Sequence, residues 1–363
     1  ADEVGMGKTF VALAVAVSVA LKNRGRRPVV VMIPSSLKGK WPNDFKLFIE
    51  KCMPKKMEGK IVCETAEKAI DFLRFLDQPQ SVRPSVIFLT HGGMSRGLDD
   101  PWVKVALIRQ SLHRKKGLNS VRSALARNLG DLLRMSWVED REPDIWGKLL
   151  NSNPEGWVKL LGPLGLEPYT PVPDPVAKVL PNLETRDVLE AVLSIPLRKS
   201  IKYEENITRA RRAIKEAMGL VWKECLQLAK LKLPLLILDE AHHLKNEDTR
   251  LASLFRSRDA EADAEEITRG PLGGVFERML FLTATPFQLG HGELCSVLDR
   301  FDGICWQGSS APGIGREGYA ESRKDLRALL DEAQESAATL DYAWGRMGPD
   351  DLRVGEVNHT RAE

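Results

Sequence analysis

The sequence predicts an α/β fold, a parallel sheet flanked by helices. Three observations carry that prediction. Apolar, uncharged runs of strand length recur at residues 28–34, 85–90, 233–238 and 279–282, and such runs suit strands buried on both faces. Segments with helical spacing lie between them, and strand–helix alternation is the pattern of a doubly wound sheet. Two of the runs lead into polar residues, Asp239-Glu240 and Thr283-Ala284-Thr285. The carboxyl ends of strands are where open α/β sheets place their ligands.

Taken in order, the chain opens on Asp2-Glu3-Val4-Gly5-Met6-Gly7-Lys8-Thr9, followed by the apolar run Val11 to Val17. This fits the pattern G-x-x-x-x-G-K-[ST], except that Asp2 stands at the first glycine position. In such a loop the glycines let backbone N–H groups close around phosphate oxygens. The lysine neutralises phosphate charge, and the Thr9 hydroxyl can sit on Mg²⁺. Gly5, Met6, Gly7, Lys8, Thr9 and Phe10 are therefore the candidate nucleotide-binding residues. A loop of this type needs a strand before it, and only Ala1 precedes the motif, so the reading expects the upstream strand to lie outside this sequence.

The run at 28–34 is a strand closed by Pro34. Residues 38–56 carry Trp41, Phe45, Leu47 and Phe48 at mixed helical spacing. Val62 and Cys63 suggest another short strand. Residues 66–76 have helical periodicity, and 85–90 form the next strand. From about 96 to 214 no core strand is evident and the pattern is helical. A structureless connection of that length is improbable, so a helical insertion is expected. Its stretch from Val103 to Leu129 holds Lys104, Arg109, Arg114, Lys115, Lys116, Arg122 and Arg127 and no acid. That stretch reads either as a contact to nucleic-acid phosphates or as a solvated helix face. The same two readings apply to Arg209, Arg211, Arg212 and Lys215.

The run Leu233 to Leu238 ends in Asp239-Glu240-Ala241-His242. An aspartate there can hold Mg²⁺ and the next acid can orient and deprotonate an attacking water. Lys8, Asp239 and Glu240 are thus the candidate catalytic residues, with Thr9 and Asp239 as metal ligands. His242 with His243 lacks a third ligand at usable spacing, so packing or hydrogen bonding is expected of both rather than a separate metal site. Thr283 and Thr285, before Pro286, read as a hinge beside the terminal phosphate.

These three strings, in this order, resemble superfamily II helicase-type ATPases. Within them the chain looks like the Swi/Snf group of DNA translocases, including bacterial RapA-like members. Asp2-Glu3 is similar to that group's variant of the loop, Asp239-Glu240-Ala241-His242-His243-Leu244-Lys245-Asn246 to its second motif, and Leu282 to Gln288 to its third. Ala284 stands where glycine is common and Leu289 where asparagine is frequent. Pro34-Ser35-Ser36-Leu37 with Trp41, and Leu89-Thr90-His91, resemble its DNA-contacting segments.

The resemblance implies a RecA-like lobe over 1–95 and 215–308, with 96–214 inserted and 309–363 a helical tail or linker. It implies ATP and Mg²⁺ as cofactors and double-stranded DNA as partner. Coupling would run through His242, Thr283, Thr285 and Gln288, and backbone contacts through Ser35, Ser36 and Thr90, joined by Arg114, Lys115 and Lys116 if the basic stretch binds. A second RecA-like lobe would supply an arginine to the phosphoryl group, and nothing from Phe301 to Glu363 resembles the expected Gln-x-x-Gly-Arg string. The chain alone is therefore expected to bind nucleotide and turn it over poorly. Two alternatives stay open, an RNA helicase lobe and a non-catalytic nucleotide-binding scaffold.

Composition fits a globular chain, with 363 residues, 43% hydrophobic and 28% charged. Net charge is only +3, so charge alone demands no polyanionic partner. Cys52, Cys63, Cys225, Cys295 and Cys305 show no metal-type spacing and fit reduced thiols. With no membrane-spanning run and no signal peptide, a cytoplasmic, nucleoid-associated location is expected.

Overall fold

A computed structural model describes residues 7–23, 27–57, 59–95, 97–113, 119–165, 170–196, 202–228, 232–244, 272–283, 291–307 and 311–348. At its centre lies a parallel sheet of five strands: β1 (Val29–Ile33), β2 (Cys63–Ala66), β3 (Val86–Thr90), β4 (Leu236–Leu238) and β5 (Met279–Phe281), in the spatial order β2-β3-β1-β4-β5. β1 and β3 pair over five residues each, Val29 opposite Val86 through Ile33 opposite Thr90. Every residue of both is buried. That explains why all their residues but Thr90 are apolar. β2 (Cys-Glu-Thr-Ala) lies at one edge and is mostly half-exposed, so its sequence alternates and is harder to read.

Period-two geometry sends successive side chains of each strand to opposite faces. Val29, Val31, Ile33, Val86, Phe88, Leu235 and Ile237 point to one core. There they meet Ala12, Leu13, Ala16 and Val17 of α1 (Lys8–Lys22) and Trp41, Phe45 and Phe48 of α2 (Lys40–Cys52). Val30, Met32, Ile87, Leu89, Leu236 and Leu238 point to the other core.

The second core is larger. α3 (Ala69–Asp77) contributes Ile70, Phe72 and Leu73. After α4 (His91–Ser95) the chain is helical, with no strand among the described residues from 97 to 228: α5 (Pro101–His113), α6 (Asn119–Leu133), α7 (Ile145–Asn151), α8 (Trp157–Leu161), α9 (Asp174–Val179), α10 (Arg186–Leu193) and α11 (Tyr203–Leu228), the last of which runs unbroken across the expected boundary at 214. Trp146, Trp157, Val176 and Val221 are among its buried residues and join the same cluster as the sheet face. The insertion is thus the second covering layer of the sheet, and α11 returns the chain to β4. α12 (His291–Asp299) follows β5, and the long α13 (Gly315–Gly345) closes the described chain. Residues 258–270, whose Asp, Glu and Ala content suggests a surface loop or short helix, lie outside the described residues.

Candidate active site

β4 delivers Asp239 and Glu240 to the carboxyl edge of the sheet. The Asp239 amide donates to Met32 O at 2.9 Å, and the Ala241 amide donates to Leu282 O at 2.8 Å. The acidic turn is therefore clamped between the ends of β1 and β5. Both Asp239 carboxylate oxygens have partners. Oδ2 accepts from Trp41 Nε1 at 3.0 Å and Oδ1 accepts from the Glu240 amide at 3.0 Å. Burial, the largest influence, pushes the Asp239 carboxyl above the usual aspartate value. The Glu240 charge adds to this, while the two hydrogen bonds pull it back.

Glu240 has φ +53°, in the left-handed region where non-glycine residues are strained. Its Oε2 lies 3.2 Å from His242 Nδ1. A bulky acid held in that conformation, beside a half-buried aspartate at a strand end, makes this turn the candidate site.

α1 begins at the same edge. It joins β1 through a short connection and packs along it, so it runs opposite to the strand. Fifteen residues of helix span about 22 Å and five residues of strand about 17 Å, which brings the helix N-terminus to the strand's carboxyl end. Gly7 caps it with φ +74°, a conformation that suits glycine. Lys8, Thr9 and Phe10 are half-buried in the first turn. Helix N-terminal amides and the helix dipole favour an anion there. α2 touches both halves of the site. Phe10 meets Phe48 with ring centroids 6.1 Å apart, and Trp41, about 10 Å earlier along the same helix, holds Asp239.

The third segment is adjacent. Leu282 N donates to Leu238 O at 2.8 Å, and half-buried Thr283 follows directly. Gly5, Met6, Thr285 and Gln288, and the side chain of His243, lie outside the described residues.

The expected nucleic-acid contacts divide. Ser35 and Ser36 are exposed in a short 3₁₀ turn at the carboxyl end of β1. Thr90 is buried, and its hydroxyl donates to Glu67 O at 3.1 Å and accepts from Gly93 N at 3.1 Å. It ties the end of β3 to the β2–α3 loop and presents nothing to a phosphate. A Cβ on Gly93 would come within 2.3 Å of Glu67 O, so glycine is required by that close approach. Trp41, grouped with the DNA-contacting segment by sequence, is buried against Phe88 and serves Asp239 instead.

Of the basic stretch, Lys104 is paired with Asp99, and Arg109 donates to Asn153 Oδ1 at 2.8 Å. Arg114, Lys115 and Lys116 lie outside the described residues. In the second cluster, Arg211 caps the C-terminus of α6, donating to Asp131 O at 2.7 Å and Leu132 O at 3.1 Å. Arg209, Arg212 and Lys215 are exposed.

Among the described residues no group of three or more His, Cys, Asp or Glu is placed to hold a metal ion, and no helix is long and apolar enough to cross a membrane. One hydroxyl and one carboxylate, as in Thr9 and Asp239, are nonetheless a fitting donor set for Mg²⁺ carried by a nucleotide. Mg²⁺ keeps several waters and takes further oxygens from phosphates rather than from an all-protein cage. No family model, no curated protein and no solved structure matches this chain.

Proposed function

We propose that this chain is the ATP-binding, RecA-like lobe of an ATP-dependent double-stranded DNA translocase, a helicase-like motor that hydrolyses ATP by in-line attack of water. The observation that supports the reading is the clamped Asp239-Glu240 turn at the carboxyl end of β4, with Glu240 at positive φ; the direction of α1, antiparallel to β1, would bring its glycine-capped start towards the same edge. Lys8 and the first-turn amides of α1 would hold the β- and γ-phosphates, and Thr9 with Asp239 would hold Mg²⁺. The metal ion, when bound, would neutralise charge on the phosphates. Glu240 would orient a water and take its proton, with His242 fixing the carboxylate from 3.2 Å. Thr283, joined to the acidic turn through β5, would report the state of the phosphates to the exposed Ser35-Ser36 turn. Contacts of that kind track the backbone and are salt-dependent and largely blind to sequence. The charge-stabilising arginine would come from a second lobe in the full-length protein.

Nucleotide binding and turnover, measured on the chain and on the full-length protein, test this. Lys8→Ala should abolish Mg-ATP binding. Glu240→Gln should leave binding in place and lower full-length turnover by roughly 10²–10⁴-fold. Stimulation by duplex DNA and not by RNA separates the translocase from an RNA helicase. Unchanged biological activity of the full-length Lys8→Ala protein would leave only a scaffold role.

A further inference from the structure

α13 is 31 residues long and none of them is buried. Its first half is fastened to the body by one face. Arg316 forms a forked pair with Asp302 at 3.0 and 2.8 Å, the Tyr319 hydroxyl donates to Leu298 O at 2.9 Å, and Arg323 meets Asp299 at 2.5 Å. Continued along the helix at alternating steps of four and three, that same face carries Leu326, Leu330, Ala333, Ala337, Leu340 and Trp344. This is the heptad seam of a coiled coil. From residue 331 onward every position on it is exposed, with Leu340 65% and Trp344 70% accessible.

The charges beside the seam say what fits it. On one flank, spaced by seven, stand Arg327, Gln334 and Asp341. A second, antiparallel copy related by a two-fold axis at the level of residue 335 sets Arg327 beside Asp341′ twice and Gln334 beside itself, each pair about 3 Å off level along the helix. The same register layers Leu330 on Leu340′, Ala333 on Ala337′ and Leu326 on Trp344′. The smallest residues then sit at the centre and the large ones at both ends. Sliding by one heptad puts Arg327 opposite Gln334′ or Gly348′ and loses both pairs. A parallel pairing yields no opposite-charge contact at all and stacks Trp344 on Trp344′. Self-complementarity about one axis is the mark of an isologous interface. Arg327 is half-exposed, and its 3.4 Å contact with Asp299 leaves it at the rim of this surface.

We propose that the outer half of α13 pairs antiparallel with the same segment of a second copy of this chain, joining two molecules tail to tail. The test is sedimentation equilibrium on the full chain over a range of concentrations, with circular dichroism confirming that each variant is folded. Wild type should shift from one chain to two, and Leu340→Arg should remain a single chain. Asp341→Arg and Arg327→Glu, each alone, should weaken pairing by about tenfold. An equal mixture of those two variants should restore it, because the heterodimer regains both opposite-charge contacts. A wild-type chain that stays single at every concentration, a dimer that survives Leu340→Arg, or a mixture that pairs no better than its components would each overturn the proposal.

Discussion

The two faces of the sheet are covered in different ways. On one, two helices, α1 and α2, lie against Val31, Ile33, Phe88 and Ile237; Trp41 of α2 bonds to Asp239, and Phe10 in the first turn of α1 packs on Phe48 of α2. On the other, the whole helical insertion shares its core with Val30, Met32, Leu89 and Leu238 and offers the site no hydrogen bond among those described. The thin layer borders the candidate site and the thick layer supplies burial. Mutations on the two faces should therefore fail differently.

The largest expected effect is on the thick side. Trp157 is completely buried between insertion helices, so Trp157→Ala should destabilise by about 3–5 kcal/mol. Urea unfolding measures the loss, and the surviving folded fraction should bind Mg-ATP with unchanged affinity. Altered affinity would break the division of labour. On the thin side, Trp41→Phe keeps an aromatic ring near Phe88 and deletes one hydrogen bond to Asp239. Stability should fall by only about 1–2 kcal/mol, while calorimetry should show clearly weaker Mg-ATP binding.

The smallest effect is confined to alkaline solution. Burial, with Asp131 beside it, pushes the Tyr203 hydroxyl up to about 12, and it donates to Asp131 Oδ2 at 3.0 Å. The unfolded phenol ionises near 10, so this stabilisation is complete below that pH and is lost as pH rises towards 12. Unfolding followed against pH should show the decline in wild type and a shallower one in Tyr203→Phe. Tyr319, also raised to about 12, accounts for part of what remains.

How much of this was legible in the sequence depends on distance along the chain. β1 and β3 were readable because all ten positions are buried and so nearly all apolar. The acidic turn was readable because a strand run and its polar end are contiguous. The Trp41–Asp239 bond joins residues 198 positions apart, and no local pattern announces it. Thr90 and Arg211 show the converse. Each carries a group suited to phosphate, and each spends it inside the fold, on a loop carbonyl and on the end of α6. Residue type gives chemical capacity, and only packing decides whether that capacity faces outward. The sign of φ at Glu240 was hidden for another reason, since glutamate has no preference for the left-handed region.

That torsion has a consequence of its own. Glycine at position 240 would relax the peptide and remove the carboxylate, and asparagine would tolerate the turn with no base to offer. Neither replacement improves backbone comfort and keeps the proposed proton acceptor together. Position 240 should therefore resist optimisation for stability, holding roughly 1–3 kcal/mol of conformational tension as the permanent condition of having an acid at that corner.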